Sequence, residues 1–245
     1  MKQYGLIGYP LGHSFSKQYF TEKFEREGLE DCVFESFAIP DISQFPSLLS
    51  QNPGLKGLGV TIPYKEKVLK YVNELSEEVK IIGATNSIKI TDNKLIAYNT
   101  DIIGFEESFS SLLTPAHKKA LVLGTGGAAK AVQFVLNKLG IEYEVVTRDN
   151  TLHTACKRYD QIDAELMNAC SLIINCSPAG MYPNENTAPD IPYELITPSH
   201  YLYDLVYKPA STLFMQKGLA KGAIVKNGYD MLLLQAEASW KIWNS

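Results

Sequence analysis

Short apolar runs alternate with amphipathic stretches along most of the chain, a pattern typical of α/β proteins. In the first hundred residues this pattern predicts strands at 4–8, 34–39 and 57–61. It also predicts a helix over 16–27, closed by Gly28. Apolar positions in the predicted strands and helix give each element one face that can be buried.

A hairpin is predicted at the end of this first half. Residues 87–90 and 94–98 alternate apolar and polar side chains, and the turn-forming pair Asp92-Asn93 lies between them. The first half is therefore predicted to be α/β with antiparallel pieces.

A second unit is predicted to begin near residue 117. The run 120–123 is continuously apolar, as expected for a strand buried on both faces of a parallel sheet. A glycine-rich loop, a helical period closed by Gly140 and a strand at 143–147 follow, which together make a βαβ unit. Later elements are predicted at 172–175, 201–205 and 223–226 (strands) and at 230–243 (helix).

Composition narrows the range of partners. The chain has 245 residues and a formal net charge of −4, without a basic stripe, so neither nucleic acid nor an anionic membrane is an expected partner. No apolar run is long enough to span a bilayer and no signal-peptide core follows Met1, so we expect a cytoplasmic protein. The four cysteines form no CxxC and the four histidines are scattered, so we expect no metal site.

The glycine loop is the most specific motif. Gly124, Gly126 and Ala129 match G-x-G-x-x-G/A directly after a strand and at the opening of a helix. In that place the first glycine allows a tight turn and the second allows the backbone to approach a pyrophosphate, which the helix N-terminus then stabilises. The motif predicts dinucleotide binding; the alternative is an ordinary tight turn.

The end of the next strand selects between two cofactors. NAD sites usually place an acidic residue there, whereas an arginine accommodates the 2′-phosphate of NADP. Here the strand runs into Thr147-Arg148-Asp149. Arg148 favours NADP, and Asp149 keeps NAD as the alternative.

Lysine and aspartate follow two predicted strands of the first half. Lys65 comes after the strand at 57–61, and Asp101 comes after the hairpin. If the two face each other, Asp101 favours the charged form of Lys65, which can donate a proton to a substrate oxygen and act as base in reverse. The alternative interpretation is two ordinary surface charges.

Three polar side chains are further candidates for a substrate site. Ser14 and Ser16 flank Phe15 at the start of a predicted helix, where hydroxyl groups suit a carboxylate; the favoured alternative for Ser16 is a helix N-cap. Gln235 lies on an apolar helical stripe, and a buried amide needs a partner, either a polyol substrate or another protein group.

These residues belong to a series of short motifs whose joint order and spacing is specific. The motifs, in chain order, are Gly8-Tyr9-Pro10 with His13 to Ser16, Val60 to Lys65, Gly83 to Asn86, Asn99-Thr100-Asp101 with Gly104, Gly124 to Lys130, Asn175-Cys176-Ser177 with Gly180-Met181, Asp204 to Tyr207 with Pro209, and Gly228 with Met231 and Gln235-Ala236. Over essentially the whole chain they resemble the shikimate dehydrogenase family, which includes the shikimate/quinate dehydrogenases.

The resemblance implies two α/β domains with a cleft between them. The first would be a substrate and catalytic domain of residues 1–103 together with a C-terminal helix of about 228–245. The second would be a Rossmann-type NADP-binding domain of residues 104–227. The implied activity is the reversible NADPH-dependent reduction of 3-dehydroshikimate to shikimate, a step towards chorismate and the aromatic amino acids. The implied assembly is a monomer or homodimer.

The resemblance also implies roles for individual residues. Lys65 and Asp101 would be the catalytic pair. The substrate would be held by Ser14, Ser16, Thr61, Asn86, Asp101, Tyr207 and Gln235. The pyrophosphate loop would be Gly124, Thr125, Gly126, Gly127 and Ala128, and the 2′-phosphate clamp would be Thr147 and Arg148. Positions near the nicotinamide would be Ser177, Met181, Leu205 and Gly228.

Three departures from the family pattern concern affinity rather than the catalytic pair. Lys17 replaces the usual proline, Gly59 replaces the usual asparagine, and Thr147-Arg148-Asp149 replaces the common Asn-Arg-Thr. Rival readings remain a quinate/shikimate dehydrogenase that accepts NAD and a non-catalytic regulatory relative. A methyltransferase reading of the glycine loop leaves the first hundred residues unexplained.

Overall fold

The computed structural model describes residues 1–12, 15–91, 94–148 and 155–245. These residues form two compact units. Unit 1 comprises Met1–Thr100 and Gln235–Ser245, and unit 2 comprises Asp101–Leu234. Unit 1 ends three residues before the predicted boundary at 103 and resumes about seven residues after the one at 228. The functional assignment of the two domains stays a prediction.

Unit 1 is a six-stranded mixed sheet with helices. The elements are β1 (Lys2–Gly8), α1 (Phe15–Glu27), β2 (Cys32–Ala38), α2 (Phe45–Gln51), β3 (Leu55–Val60), β4 (Glu74–Leu75), α3 (Glu77–Ile82), β5 (Ser87–Thr91), β6 (Lys94–Tyr98) and the C-terminal part of α8 (Tyr229–Trp243). The sheet order is β2-β1-β3-β5-β6-β4, with the β3–β5 and β5–β6 pairs antiparallel and the other pairs parallel. The predicted hairpin is therefore confirmed as β5 and β6, with Asp92 and Asn93 outside the described residues.

An aromatic cluster joins the C-terminal helix to this sheet. Tyr4 of β1 stacks on Trp243 of α8, with ring centroids 5.6 Å apart. Phe20 of α1 stacks on Phe34 of β2 at 4.7 Å. A β-carbon at Gly57 would lie 2.2 Å from the Trp243 ring, so only glycine at this position of β3 lets the indole approach the sheet.

Unit 2 is a fully parallel six-stranded sheet in the order β12-β11-β10-β7-β8-β9. The elements are α4 (Asp101–Ser110), β7 (Lys119–Leu123), α5 (Gly127–Lys138), β8 (Glu142–Thr147), β9 (Lys157–Arg158), α6 (Ala164–Ala169), β10 (Leu172–Asn175), β11 (Tyr201–Asp204), α7 (Leu213–Leu219) and β12 (Ile224–Asn227). The strand β7 is buried, as the continuous apolar run at 120–123 predicts, and β10 and β11 are buried as well.

Side-chain N-caps fix the start of two helices in unit 2, and a third helix starts at a predicted site residue. Asp163 accepts a hydrogen bond from the Leu166 N–H and caps α6, and Thr212 accepts one from Met215 and caps α7. The helix α4 begins directly at Asp101, where the sequence predicted only a strand end.

Within the described residues, no helix is long and apolar enough to cross a membrane.

Candidate active site

The segment that carries Lys65 is fixed to the end of β3 in unit 1. The Thr61 N–H donates to the Ile7 carbonyl at 2.9 Å, and the Lys65 carbonyl accepts from the Thr85 N–H at 2.8 Å. Between them, the buried Tyr64 donates its hydroxyl proton to the Ile39 carbonyl at 2.5 Å. The backbone of this segment is therefore tied to three neighbours, and the Lys65 side chain is half-buried.

Two of the predicted substrate-binding amides lie together. Asn86 Nδ2 donates to Gln235 Oε1 at 3.2 Å and to Thr100 Oγ1 at 2.9 Å. Asn86 Oδ1 accepts from the Thr100 N–H at 2.6 Å, and Thr100 Oγ1 lies 2.9 Å from Ser239 Oγ. We call Asn86, Thr100, Gln235 and Ser239 the amide network. The sequence predicted either a polyol substrate or a protein group as the partner of the Gln235 amide. In the structure, the side chain of Asn86 is such a protein group.

Asp101 is the first residue of α4 and follows Thr100 in the chain. Asp101 is buried, with 6% of its surface exposed. The helix dipole stabilises a carboxylate in the first turn of a helix. Asp101 belongs to unit 2 and Lys65 to unit 1, so the pairing of their charges stays a prediction.

The serine pair corrects one expectation. Because α1 begins at Phe15, Ser16 lies within its first turn and is not the helix N-cap. Ser16 is half-buried, and Ser14 lies outside the described residues. Ser16 therefore keeps its predicted place in a substrate site without the competing capping role.

Two departures from the family pattern have local structural explanations. Lys17 Nζ forms an ion pair with Glu35 Oε2 at 2.8 Å, so its charge is partly matched within unit 1. A β-carbon at Gly59 would lie 3.0 Å from Leu6 Cδ1, so the glycine leaves room for that leucine.

The glycine loop of unit 2 has the geometry that its motif predicts. Gly124 has a φ of +124°, which favours glycine, and its N–H donates to the Val146 carbonyl at 2.8 Å. A β-carbon there would come within 3.3 Å of the Cys176 backbone. At Gly126, the residue that precedes α5, a β-carbon would meet nothing within 4 Å. The loop thus leaves open space at the N-terminus of a twelve-residue helix.

The predicted 2′-phosphate clamp lies at the end of β8. Thr147 is the last residue of that strand and is buried, whereas Arg148 is exposed. Burial raises the pKa of Tyr159, and the nearby positive charge of Arg148 opposes that rise. Asp149, the residue that kept NAD as an alternative, lies outside the described residues.

Three polar side chains form the last rung of the parallel sheet. Asn175 of β10 pairs in register with Asp204 of β11, which pairs with Asn227 of β12. Asp204 Oδ1 accepts from Asn175 Nδ2 at 2.9 Å and from the Val206 N–H at 3.0 Å. Asp204 Oδ2 accepts from Thr212 Oγ1 at 2.6 Å. We call these three side chains the polar rung.

The predicted nicotinamide-side residues lie on loops attached to this rung. Ser177 donates its hydroxyl proton to Asn175 Oδ1 at 2.6 Å, and the Leu205 N–H donates to the Asn175 carbonyl at 3.0 Å. The Gly228 N–H donates to the Val206 carbonyl at 3.2 Å. A β-carbon at Gly228 would lie 2.3 Å from the Leu205 carbonyl oxygen, so these backbones touch.

The remaining predicted residues of these loops are Met181, which is largely exposed, and Tyr207, which is half-buried. Burial raises the pKa of the Tyr207 hydroxyl. That hydroxyl is therefore protonated at neutral pH and carries a proton that can be donated in a hydrogen bond.

The sequence analysis missed a role for Asp204, although it quoted the motif that contains it. Asp204 is fully buried, and burial raises its pKa to about 6. The available signal was a charged residue at the end of an otherwise apolar strand. Among the described residues, no group of three or more His, Cys, Asp or Glu side chains could hold a metal ion.

These features define a class of protein: an oxidoreductase-type α/β chain in which a Rossmann-type unit accompanies a second α/β unit rich in strand-end polar groups. Comparison with known proteins then identifies the family. Residues 6–88 match the family model described as the shikimate dehydrogenase substrate binding domain. The shikimate dehydrogenase (NADP(+)) of Caldicellulosiruptor saccharolyticus is 32% identical and covers 99% of this chain and 92% of its own length.

Solved structures agree over the same length. Shikimate dehydrogenase 1 from Peptoclostridium difficile is 34% identical, with a TM-score of 0.84 over 100% of this chain and 92% of that one. Shikimate 5-dehydrogenase from Thermus thermophilus, solved with NADP(H) and shikimate, is 30% identical, with a TM-score of 0.88 over 99% and 93%. The chain belongs to the shikimate dehydrogenase family. The predicted family, the α/β fold and the oxidoreductase class are confirmed.

Proposed function

We propose that this protein reversibly reduces 3-dehydroshikimate to shikimate with NADPH. The observation that carries the proposal is full-length similarity to enzymes named shikimate dehydrogenase. One of these similar enzymes was solved in complex with NADP(H) and shikimate. In this chain, polar residues stand at strand ends of both units, among them Thr61 after β3 and Asn175 at the end of β10. The product would feed the synthesis of chorismate and aromatic amino acids.

The residues of the glycine loop fit a dinucleotide. The open space at Gly126 and the N-terminus of α5 suit a pyrophosphate, and the positive φ of Gly124 makes the turn that opens it. We assign Gly124, Thr125, Gly126, Gly127 and Ala128 to this loop. When bound, the reduced nicotinamide supplies a hydride to the ketone carbon.

Arg148 supports NADP over NAD. An exposed guanidinium at the end of β8 can form charge-assisted hydrogen bonds with a 2′-phosphate, and Thr147 lies beside it. Ser177, Met181, Leu205 and Gly228 are assigned to the nicotinamide half of the same site.

Lys65 is assigned as the proton donor. Its ammonium group would give a proton to the ketone oxygen as the carbon is reduced, and its neutral amine would take the proton back in the oxidation of shikimate. Asp101 would orient the ammonium group and favour its charged form.

Neutral polar groups are assigned to the rest of the substrate. The Ser14 and Ser16 hydroxyls suit a carboxylate near the start of α1. The amide network supplies both donors and acceptors for ring hydroxyls. The full set assigned to the substrate is Ser14, Ser16, Thr61, Asn86, Asp101, Tyr207 and Gln235.

The setting completes the proposal. We place the enzyme in the cytoplasm as a monomer or homodimer that binds a small-molecule substrate and no nucleic acid. The acidic balance of the sequence supports the last point, since a phosphate backbone attracts basic surfaces.

The test is a comparison of four reactions followed by the absorbance of the reduced cofactor. Shikimate or quinate is mixed with NADP⁺ or NAD⁺ and the purified protein. We expect turnover with shikimate and NADP⁺, and kcat/KM lower by at least about tenfold in the other three mixtures, about 1.4 kcal/mol.

Each alternative has its own signature in this assay. Similar kcat/KM with quinate or NAD⁺ would identify a broad-specificity shikimate/quinate dehydrogenase. Binding of shikimate or NADP⁺ by calorimetry with no turnover would identify a non-catalytic relative and overturn the roles of Lys65 and Asp101.

A further inference from the structure

The polar rung contains a charge for which the proposed reaction has no direct use. Asp204 is 0% exposed, and no Lys, Arg or His of the described residues lies within ion-pair distance of it. Its carboxylate instead accepts three hydrogen bonds, from Asn175, Val206 and Thr212. A buried, unpaired carboxylate is costly, so its presence at this point of the sheet calls for an explanation.

The three donors come from two loops at the carboxyl edge of the sheet. Asn175 opens the loop that contains Ser177, Val206 lies in the loop after β11, and Thr212 caps α7 at the far end of that same loop. In open parallel sheets, ligands bind at this edge. Asp204 therefore holds the start of one loop and both ends of the other.

Asn175 and Asn227 extend the same arrangement to both sides. Asn175 Oδ1 accepts from the Ser177 N–H at 3.0 Å and from its hydroxyl, which orients that side chain. Asn227 Nδ2 donates to the Ala210 carbonyl at 2.9 Å, and Asn227 Oδ1 accepts from the Tyr229 N–H at 3.2 Å. Every loop at this edge between β10 and α8 thus has a bond to the rung.

We propose that Asp204 is a positioning residue for the nicotinamide half of the cofactor, fixing the loops of Ser177, Leu205 and Gly228 through its three hydrogen bonds. The inference rests on the proposed function for the identity of the cofactor. Asp204 acts through the backbone and through Asn175 and does not itself touch the reacting atoms.

The ionised form is the one that fits three donors. A protonated carboxyl group has a proton pointing at one of those donors and loses an acceptor position. The titratable groups that face Asp204 are Cys176, Tyr193 and Tyr203, and burial raises the pKa of each, so all three are uncharged in weak acid. Asp204 is then the group in this cluster that titrates near pH 6.

The experiment compares two ligands that differ only in the nicotinamide. Calorimetry measures the Kd of NADP⁺ and of 2′-phospho-ADP-ribose for wild type and Asp204→Asn. The variant offers one oxygen to three donors and places an amide N–H₂ against one of them. We expect the Kd of NADP⁺ to rise about tenfold, which corresponds to the loss of one buried charge-assisted hydrogen bond. The Kd of 2′-phospho-ADP-ribose should rise less than about twofold.

A pH series adds a readout that a purely structural role would not move. In wild type, the ratio of the two Kd values should rise as the pH falls below about 6, because Asp204 becomes protonated. The 2′-phosphate titrates in both ligands and cancels in the ratio. In Asp204→Asn the ratio should be raised and independent of pH.

Matched variants keep the test decisive if Asp204→Asn does not fold. Thr212→Val removes one of the three donors and should raise the ratio of the NADP⁺ Kd to the 2′-phospho-ADP-ribose Kd. Thr212→Ser keeps the hydroxyl donor and should have the wild-type ratio. Thr197→Val removes side-chain hydrogen bonds to Ser199 and His200 just before the amino end of β11, away from the polar rung, and should leave the ratio unchanged.

Three results would overturn the inference: an equal loss of affinity for both ligands, no loss for either, or a wild-type ratio that is flat with pH. Because these are binding measurements, they stand apart from turnover. A protein that binds NADP⁺ as expected but does not oxidise shikimate would contradict the proposed function and leave the role of Asp204 intact.

Discussion

The amide network of unit 1 and the polar rung of unit 2 are both buried polar centres, and they differ in kind. The amide network of unit 1 is built from neutral groups, with Asn86 bonded to Thr100 and to Gln235. The polar rung of unit 2 is built around a carboxylate, Asp204, that accepts from backbone and side-chain donors. Both lie next to residues assigned to the active site.

The difference corresponds to how each unit is proposed to bind its ligand. In unit 1, side chains of the amide network are themselves assigned to the substrate, and neutral amides can exchange a protein partner for a hydroxyl at small net cost. In unit 2, the cofactor is assigned largely to backbone and loop positions. A charged acceptor makes stronger hydrogen bonds and is suited to holding loops still. Substitutions in the amide network should thus change substrate affinity, and substitutions in the polar rung should change cofactor affinity.

The largest effect is expected for Lys65→Ala, which would separate chemistry from binding in unit 1. We expect kcat to fall by about 10²–10⁴, the usual contribution of a general acid–base group, or about 3–5 kcal/mol of barrier. The Kd of shikimate should stay within about tenfold. Steady-state kinetics and calorimetry measure the two.

Lys67→Ala is the matched control, because Lys67 is an exposed lysine two residues further along the same segment. It should keep wild-type kcat. A Lys65→Ala protein that retains more than a tenth of wild-type kcat would remove Lys65 from the mechanism.

Arg148→Ala is expected to have the next largest effect, and it falls on unit 2 alone. Loss of a charge-assisted bond to the 2′-phosphate should raise the KM of NADP⁺ about tenfold or more and leave the KM of NAD⁺ nearly unchanged. The KM of shikimate should not move. Initial-rate kinetics with each cofactor make the comparison.

Arg26→Ala, which removes an exposed arginine of unit 1, controls for the change of net charge. It should leave both cofactor KM values unchanged. If Arg148→Ala affected NADP⁺ and NAD⁺ equally, the role of Arg148 as a 2′-phosphate ligand would be refuted.

The regular parts of both units could be predicted because their signals are local. The run 120–123, the glycine loop and the period of α5 specify a strand, a turn and a helix without help from distant residues. The positive φ of Gly124 follows from the same motif. Periodicity of this kind also located the strands β1, β2 and β3.

The hydrogen bonds within the two polar centres could not be predicted because they join residues that are distant in the chain. Asn86 and Gln235 are separated by 149 residues, and the bond between Asp204 and Asn175 depends on the register of two parallel strands. Ser16 failed as an N-cap for a smaller reason: α1 begins one residue before it. Such boundary shifts are common, since a helix end depends on local hydrogen bonds that periodicity does not record.

Ser239→Ala should have the smallest effect and would sharpen the distinction between support and ligand binding within unit 1. Ser239 is buried and its hydroxyl lies 2.9 Å from Thr100 Oγ1, whose other partner is Asn86. Removing it should lower the free energy of unfolding by about 1 kcal/mol, the usual net value of one hydrogen bond. Because the bonds between Thr100 and Asn86 remain, the KM of shikimate should change less than about twofold. Ser47→Ala, on the exposed face of α2, should change neither quantity when both variants are compared by denaturant unfolding and kinetics. A strong rise in the KM of shikimate in Ser239→Ala would mean that the whole amide network, rather than Asn86 and Gln235 alone, sets substrate affinity. Unit 1 would then depend, like unit 2, on a residue that acts only through its neighbours. The contrast between the two polar centres would be smaller by that amount.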